Sequence, residues 1–203
     1  RSHGSNPAPA IFYFKKMKKV ILVHGWGGSP ESNWMPWLKE QLELKGFKVN
    51  ALAMPDADSP KIREWIAFLG KNIKKLSKST FLIGHSIGCQ AILRYLQNKK
   101  EKAGGIILVA PWFHLKGLES EEEENIAKPW LEEKINLNII KKNAGRIVAF
   151  FSDNDPFVPL SDAALFREKL GAKVIIKKNK GHFVGAKYSF ILEEAKNVGS
   201  GNR

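Results

Sequence analysis

The chain has one cysteine, Cys89, so no internal disulfide can form and no Cys-x-x-Cys zinc site can be written. A lone thiol and no evident signal segment make the cytoplasm the expected location. Long apolar runs are absent. The longest are strand-sized, VILV at 20–23 and IILVA at 106–110, far short of the roughly 18 residues a membrane span requires. Arginine is scarce, six against 27 lysines. The net charge of +13 raises nucleic acid as a partner. There is, however, no arginine-rich arm, zinc finger or RNP-like motif, and the lysines are dispersed. A solvated lysine-rich surface and no nucleic-acid partner are therefore expected.

What is present is ordinary for a globular protein: 43% hydrophobic and 26% charged residues in 203. That length supports one domain with a full core. Residues 1–16 read as an appended tail and 199–203 as linker-like, which leaves 17–198 as the domain. The tails remove four basic residues and no acid, so the domain keeps +9.

Hydrophobic blocks alternate in kind. VILV (20–23), FKVNALAMP (47–55), FLI (81–83), GIILVA (105–110), RIVAFFS (146–152) and AKVIIKK (172–178) read as strands. Helical spacing appears in 34–46, 62–76, 87–99, 161–171 and 186–197. Six strands separated by helix-length crossovers predict an α/β fold, a mainly parallel sheet with helices on both faces. The exception is 111–145, a longer connection that contains the acidic run ESEEEE (119–124), expected to be a solvated, open stretch. No second domain and no repeat is visible.

The centre of the chemistry is FLIGHSIGCQAILRYL. A strand enters Gly84-His85-Ser86-Ile87-Gly88 and a helix leaves it. This is G-x-S-x-G in the context its mechanics need. The turn is so sharp that residues two before and two after the serine must lack side chains. The serine oxygen then stands above the sheet edge, at the positive end of a helix.

A nucleophilic serine needs a base and a group to orient that base. Of five histidines, His3 lies in the tail, His24 and His85 lie in glycine-rich motifs, and His114 lies in the long connection. His182, in NKGHFVG, follows the last strand and precedes the last helix, so it is the candidate base. Of five aspartates, Asp155 in SDNDPFVP is favoured over Asp153, which suits a turn-stabilising role. Asp162 and Ser161 are expected to cap the next helix.

The oxyanion formed on attack needs donors. The Ile87 N–H, directly after the serine, and the Trp26 N–H of HGWGG (24–28) are the candidates. HGWGG lacks both G-x-x-x-x-G-K-[ST] and G-x-G-x-x-G, so a nucleotide role is not supported. Cys89, one turn into the helix, is expected to pack under the elbow. Trp112, Phe113, Trp130, Phe157 and Phe183 fall in segments at the predicted site edge. Trp112, Phe157 and Phe183, with His24, are the candidates for substrate contact.

HGWGG, GHSIGCQAILRYL, LVAPW, KPW, SDNDPFVP and KGHF occur in that order between residues 24 and 183. Together they resemble the small α/β-hydrolase-fold serine hydrolases of the retinoblastoma-binding protein 9 and YdeN type, from Met17 to about Asn197. The resemblance implies a pared-down three-layer hydrolase sheet without a large cap domain. It implies Ser86 as nucleophile, Asp155 as acid and His182 as base. It implies hydrolysis of small esters or amides, with no metal and no organic cofactor. It gives no support for a retinoblastoma partner, because the Leu-x-Cys-x-Glu motif is missing. A protein-binding module on a hydrolase scaffold is the competing expectation.

Overall fold

A computed structural model describes residues 17–200. The expected tail at 1–16 and residues 201–203 lie outside the described residues. Six strands form one sheet: β1 (Lys19–Val23), β2 (Lys48–Leu52), β3 (Thr80–His85), β4 (Gly105–Val109), β5 (Arg146–Ser152) and β6 (Lys173–Lys177). Their order is β2-β1-β3-β4-β5-β6 and every pairing is parallel. The register places Val23 beside Gly84, and Gly84 beside Leu108, so the ends of β1, β3 and β4 meet at one edge.

The sequence explains which strands sit in the middle. β3 and β4 are buried along their whole length, as TFLIGH and GIILV require. β6, KVIIK, is an edge strand and half-exposed. Seven helices complete the layers: α1 (Met35–Glu43), α2 (Ile62–Asn72), α3 (Ile87–Gln97), α4 (Glu121–Glu132), α5 (Leu137–Asn143), α6 (Asp162–Leu170) and α7 (Ser189–Ser200). α1 packs on α7, whereas α3 packs on α2 and α5, and α5 on α6. No described helix is long and apolar enough to cross a membrane.

Three expectations change. α2 stops at Asn72 rather than 76, because Ile73 leaves helical geometry while Leu76 still reaches the core from the following loop. α7 runs through Gly199 and Ser200, past the point where composition turns linker-like. The acidic run is not an open stretch. Ser120 accepts the Glu123 N–H at 3.2 Å, and Glu123 accepts the Glu119 N–H at 2.7 Å. The glutamates at 121–124 thus form the first turn of α4, where negative charge is favoured by the helix dipole. The 111–145 connection therefore holds two helices, α4 and α5.

Candidate active site

The turn from β3 into α3 is made at Ser86, whose φ of +52° and ψ of −120° are rarely tolerated outside glycine. The turn is fixed by close contacts that leave no room for side chains. A Cβ on Gly88 would lie 2.5 Å from the carbonyl oxygens of both Val23 and His24. A Cβ on Gly84 would lie 2.8 Å from Ile92 Cδ1 and 2.9 Å from the Cys89 nitrogen. Glycine at both positions lets α3 start directly against the end of β1. The Ser86 N–H is held by the Val109 carbonyl at 2.9 Å. Cys89 is buried beneath this turn with its thiol against the Val109 carbonyl at 3.5 Å, and burial pushes that thiol's pKa up.

Ser86 opens into a cavity of about 450 Å³ at the C-terminal edge of the sheet. His182 lines the same cavity from the loop after β6. Its Nδ1 lies 2.9 Å from Asp155 Oδ2 and 3.1 Å from Oδ1. Asp155 is buried at the end of β5 and also accepts the N–H groups of Phe157 at 2.9 Å and Val158 at 3.0 Å. Those donors hold the carboxyl as an acceptor, so the imidazole carries its proton on Nδ1. Nε2 is then the bare nitrogen. Ser86 Oγ and His182 Nε2 are not hydrogen-bonded to each other among the described residues. Without substrate such contacts are commonly long and tighten in the complex.

The histidine loop is held by a feature that sequence reasoning missed. The four side chains of SDND (152–155) engage four successive residues of that loop. Asp153 Oδ1 accepts the Asn179 N–H at 2.8 Å, Ser152 Oγ accepts that of Lys180 at 3.0 Å, and Asn154 Oδ1 accepts that of Gly181 at 2.8 Å. Asp155 takes His182 itself. The run of small polar residues was the available signal, but it reads equally as a turn. Asp153 departs from the local turn role expected of it: its carboxylate reaches the loop after the next strand.

The HGWGG loop crosses the other side of Ser86. His24 donates through Nδ1 to the Gly25 carbonyl at 2.7 Å and accepts the Met54 N–H on Nε2 at 3.0 Å. Both ring nitrogens are committed, and burial lowers the pKa, which keeps the ring neutral. His24 lines the cavity and at the same time braces the loop. The Trp26 indole donates to the Asp58 carbonyl at 2.8 Å, which anchors the loop from outside. Trp26 and Ile87 both line the cavity, and neither backbone N–H has an acceptor among the described residues.

The aromatic candidates divide. Trp112 and Phe157 line the cavity, and Phe157 stands edge-on to the His182 ring at 5.2 Å. Phe183 does not. It is 0% exposed and packs on Tyr188 and Phe190, so it belongs to the core. Phe113 stacks on Phe166 at 4.3 Å, and Trp130 packs against Trp65. Trp112 is set in place from α3. Gln90 donates to its carbonyl and accepts from Arg94, which in turn donates to the carbonyls of Trp130 and Glu133 at the end of α4. Burial lowers the Arg94 pKa to about 10, which still leaves it charged near neutrality. Asp162 departs from its expected cap role. Its carboxylate accepts the N–H groups of Phe113 and His114 and the His114 ring, 48 and 49 residues away in the chain.

Comparison with known proteins agrees with this architecture. YdeN of Bacillus subtilis (strain 168), which is named as a hydrolase, is 29% identical over 169 residues, covering 82% of this chain and 86% of its own. Serine hydrolase RBBP9 of Rattus norvegicus is 29% identical over 184 residues, covering 89% and 95%. The crystal structure of the B. subtilis ydeN product superposes with a TM-score of 0.82 at 26% identity, over 91% of this chain and all of that one. Est1E from Butyrivibrio proteoclasticus shares the fold at a TM-score of 0.69 and 17% identity, over 90% of this chain and 86% of its own. The serine hydrolase family profile matches residues 20–190, which span β1 to the start of α7 and include every element that borders the cavity. With the elbow, the sheet order and the whole-length match in agreement, this chain belongs to the serine hydrolase family and is an enzyme of the α/β-hydrolase fold.

Proposed function

We propose that the chain hydrolyses small carboxylic esters through an acyl-enzyme on Ser86; thioesters and amides would follow the same steps. The observation that carries this reading is the Asp155-held imidazole of His182 in the same cavity as a serine on a strained elbow.

In this mechanism His182 Nε2 takes the hydroxyl proton as Ser86 Oγ bonds to the acyl carbon. The carbonyl oxygen becomes an oxyanion held by the Trp26 and Ile87 N–H groups. Asp155 keeps the proton on Nδ1 and stabilises the imidazolium. The tetrahedral intermediate collapses and the ester C–O bond breaks. The leaving alkoxide takes the proton from Nε2. Water then attacks the acyl-enzyme with His182 as base. Ser86 recovers its proton from Nε2, and the carboxylic acid departs and gives its own proton to solvent.

The cavity volume, about 450 Å³, lies toward the lower end of small-molecule pockets, roughly 300–1,000 Å³. Its walls include Trp112, Leu115, Leu118 and Phe157, which suits a short apolar acyl chain. Butyrate esters should therefore be preferred over palmitate esters.

The test is labelling with a fluorophosphonate probe, wild type beside Ser86→Ala, with butyrate ester turnover on the same samples. Labelling and turnover that both vanish in the variant are expected. A folded wild type that neither labels nor turns over ester would overturn the reading in favour of a binding module.

A further inference from the structure

The mechanism above leaves one buried titratable group at the site without a task. His85 is the last residue of β3, between Gly84 and Ser86. Its Nε2 lies 2.7 Å from the main-chain carbonyl of His182, a contact that joins positions 97 residues apart. A carbonyl can only accept, so Nε2 carries the proton and donates. The ring sits 5.0 Å from the His182 ring, and the Trp34 indole meets its other side edge-on at 5.9 Å. On the remaining side, a Cβ on Gly25 would lie 3.2 Å from His85 Nδ1. The ring therefore touches the elbow, the HGWGG loop and the histidine loop at once.

Burial keeps this imidazole neutral. Its pKa is pushed down to about 3, first by loss of hydration and then by the neighbouring His182. A neutral ring on Nε2–H offers one donor in one direction, and packing on three sides holds that direction.

The other restraints on the histidine loop come from β5. The SDND side chains tie residues 179–182 to the strand that bears Asp155. None of them fixes the loop relative to β3, which carries Ser86. Among the described residues, the His85–His182 bond is the hydrogen bond that does so.

We propose that His85 is a positioning residue: its Nε2–H sets the height of the His182 main chain above the elbow and so aligns His182 with Ser86. The reasoning is geometric. Asp155 fixes which way the imidazole points, and His85 fixes where it stands. Proton transfer in the attack step needs both, and a displacement of 1 Å can cost about 10²-fold in rate. This inference rests on Ser86 and His182 acting as nucleophile and base.

The experiment uses the full chain and two variants. His85→Phe keeps an aromatic ring and loses the donor. His85→Gln restores an N–H donor near the position of Nε2. Steady-state kinetics on a butyrate ester, the rate of fluorophosphonate labelling and thermal unfolding are read for each. His85→Phe should lower kcat and the labelling rate about 10–100-fold, with KM within about twofold. His85→Gln should recover most of that loss. A folded His85→Phe with wild-type kcat would overturn the proposal, as would a folded His85→Gln as impaired as His85→Phe.

Nitrogen NMR of the unaltered protein tests the same contact without a substitution. Near pH 7, His85 should appear as the Nε2–H tautomer with a slowly exchanging proton. An Nδ1–H tautomer, or a rapidly exchanging proton, would overturn the proposal whether or not the variants fold. Wild type that fails to label would sink the hydrolase reading instead. Wild type that labels, beside an unaffected His85→Phe, would sink only this one.

Discussion

The chain contains two histidine–aspartate pairs that are close to copies of each other. His182 Nδ1 meets Asp155 at 2.9 Å, and His114 Nδ1 meets Asp162 at 2.7 Å. Each aspartate is buried, and each also accepts two backbone N–H groups, from Phe157 and Val158 in one case and Phe113 and His114 in the other. The difference lies on the far side of the ring. The His182 side chain is 14% exposed and shares a cavity with Ser86. That of His114 is 66% exposed and borders no such cavity. A carboxylate-held imidazole is thus a local structure that a fold can form in more than one place. It can serve as a base only where a nucleophile faces it, the role the proposed mechanism gives to Ser86. The His114 pair instead pins the start of the long connection to α6.

The sharpest way to break this comparison is to disable one pair at a time. His182→Ala or Asp155→Asn should lower kcat on a butyrate ester by about 10⁴-fold, the scale seen when a triad loses its tautomer control. A fall of less than tenfold in either variant would show that the cavity pair is no more than structural.

Acid should separate the regions next. His85, beside the cavity pair, stays neutral in the fold down to about pH 3, whereas an unfolded histidine takes a proton near ~6.5. Below about 6.5 the unfolded chain therefore binds a proton that the folded chain refuses. The stability tied to this group is complete above about pH 6.5 and is lost progressively as pH falls toward about 3. Urea midpoints at pH 7 and pH 4 should lie further apart for wild type than for His85→Phe. Parallel shifts would contradict the neutral assignment.

Asp162→Ala should cost about 1–3 kcal/mol of stability, because the Phe113 and His114 N–H groups lose their acceptor. The smallest effect should be that of His114→Ala, whose kcat should stay within about twofold of wild type. A tenfold loss there would mean that the second pair takes part in turnover.

The same contrast explains what could be read from residues alone. The strands were legible because buried parallel strands are continuous apolar runs. The elbow was legible because Gly84 and Gly88 answer a local steric demand. The partners of Ser152, Asp153 and Asn154 were not, since they lie 26–28 residues away on a loop that only β5–β6 pairing brings near. For the same reason Phe183 looked like a lining residue. Its burial depends on how loops pack, and periodicity carries no trace of it. The acidic run misled because like charges suggest repulsion, while Ser120 supplies a cap that turns them into a helix start.

Cys89 has a consequence for measurement. The protein's single thiol sits three residues past Ser86, sealed between the elbow and β4. An alkylating reagent can reach it only when α3 lifts from the sheet, and a protonated thiol reacts slowly in the meantime. Thiol trapping in the native protein is therefore a clock for that opening. Its rate reports how often the ground beneath Ser86 gives way, with no residue changed.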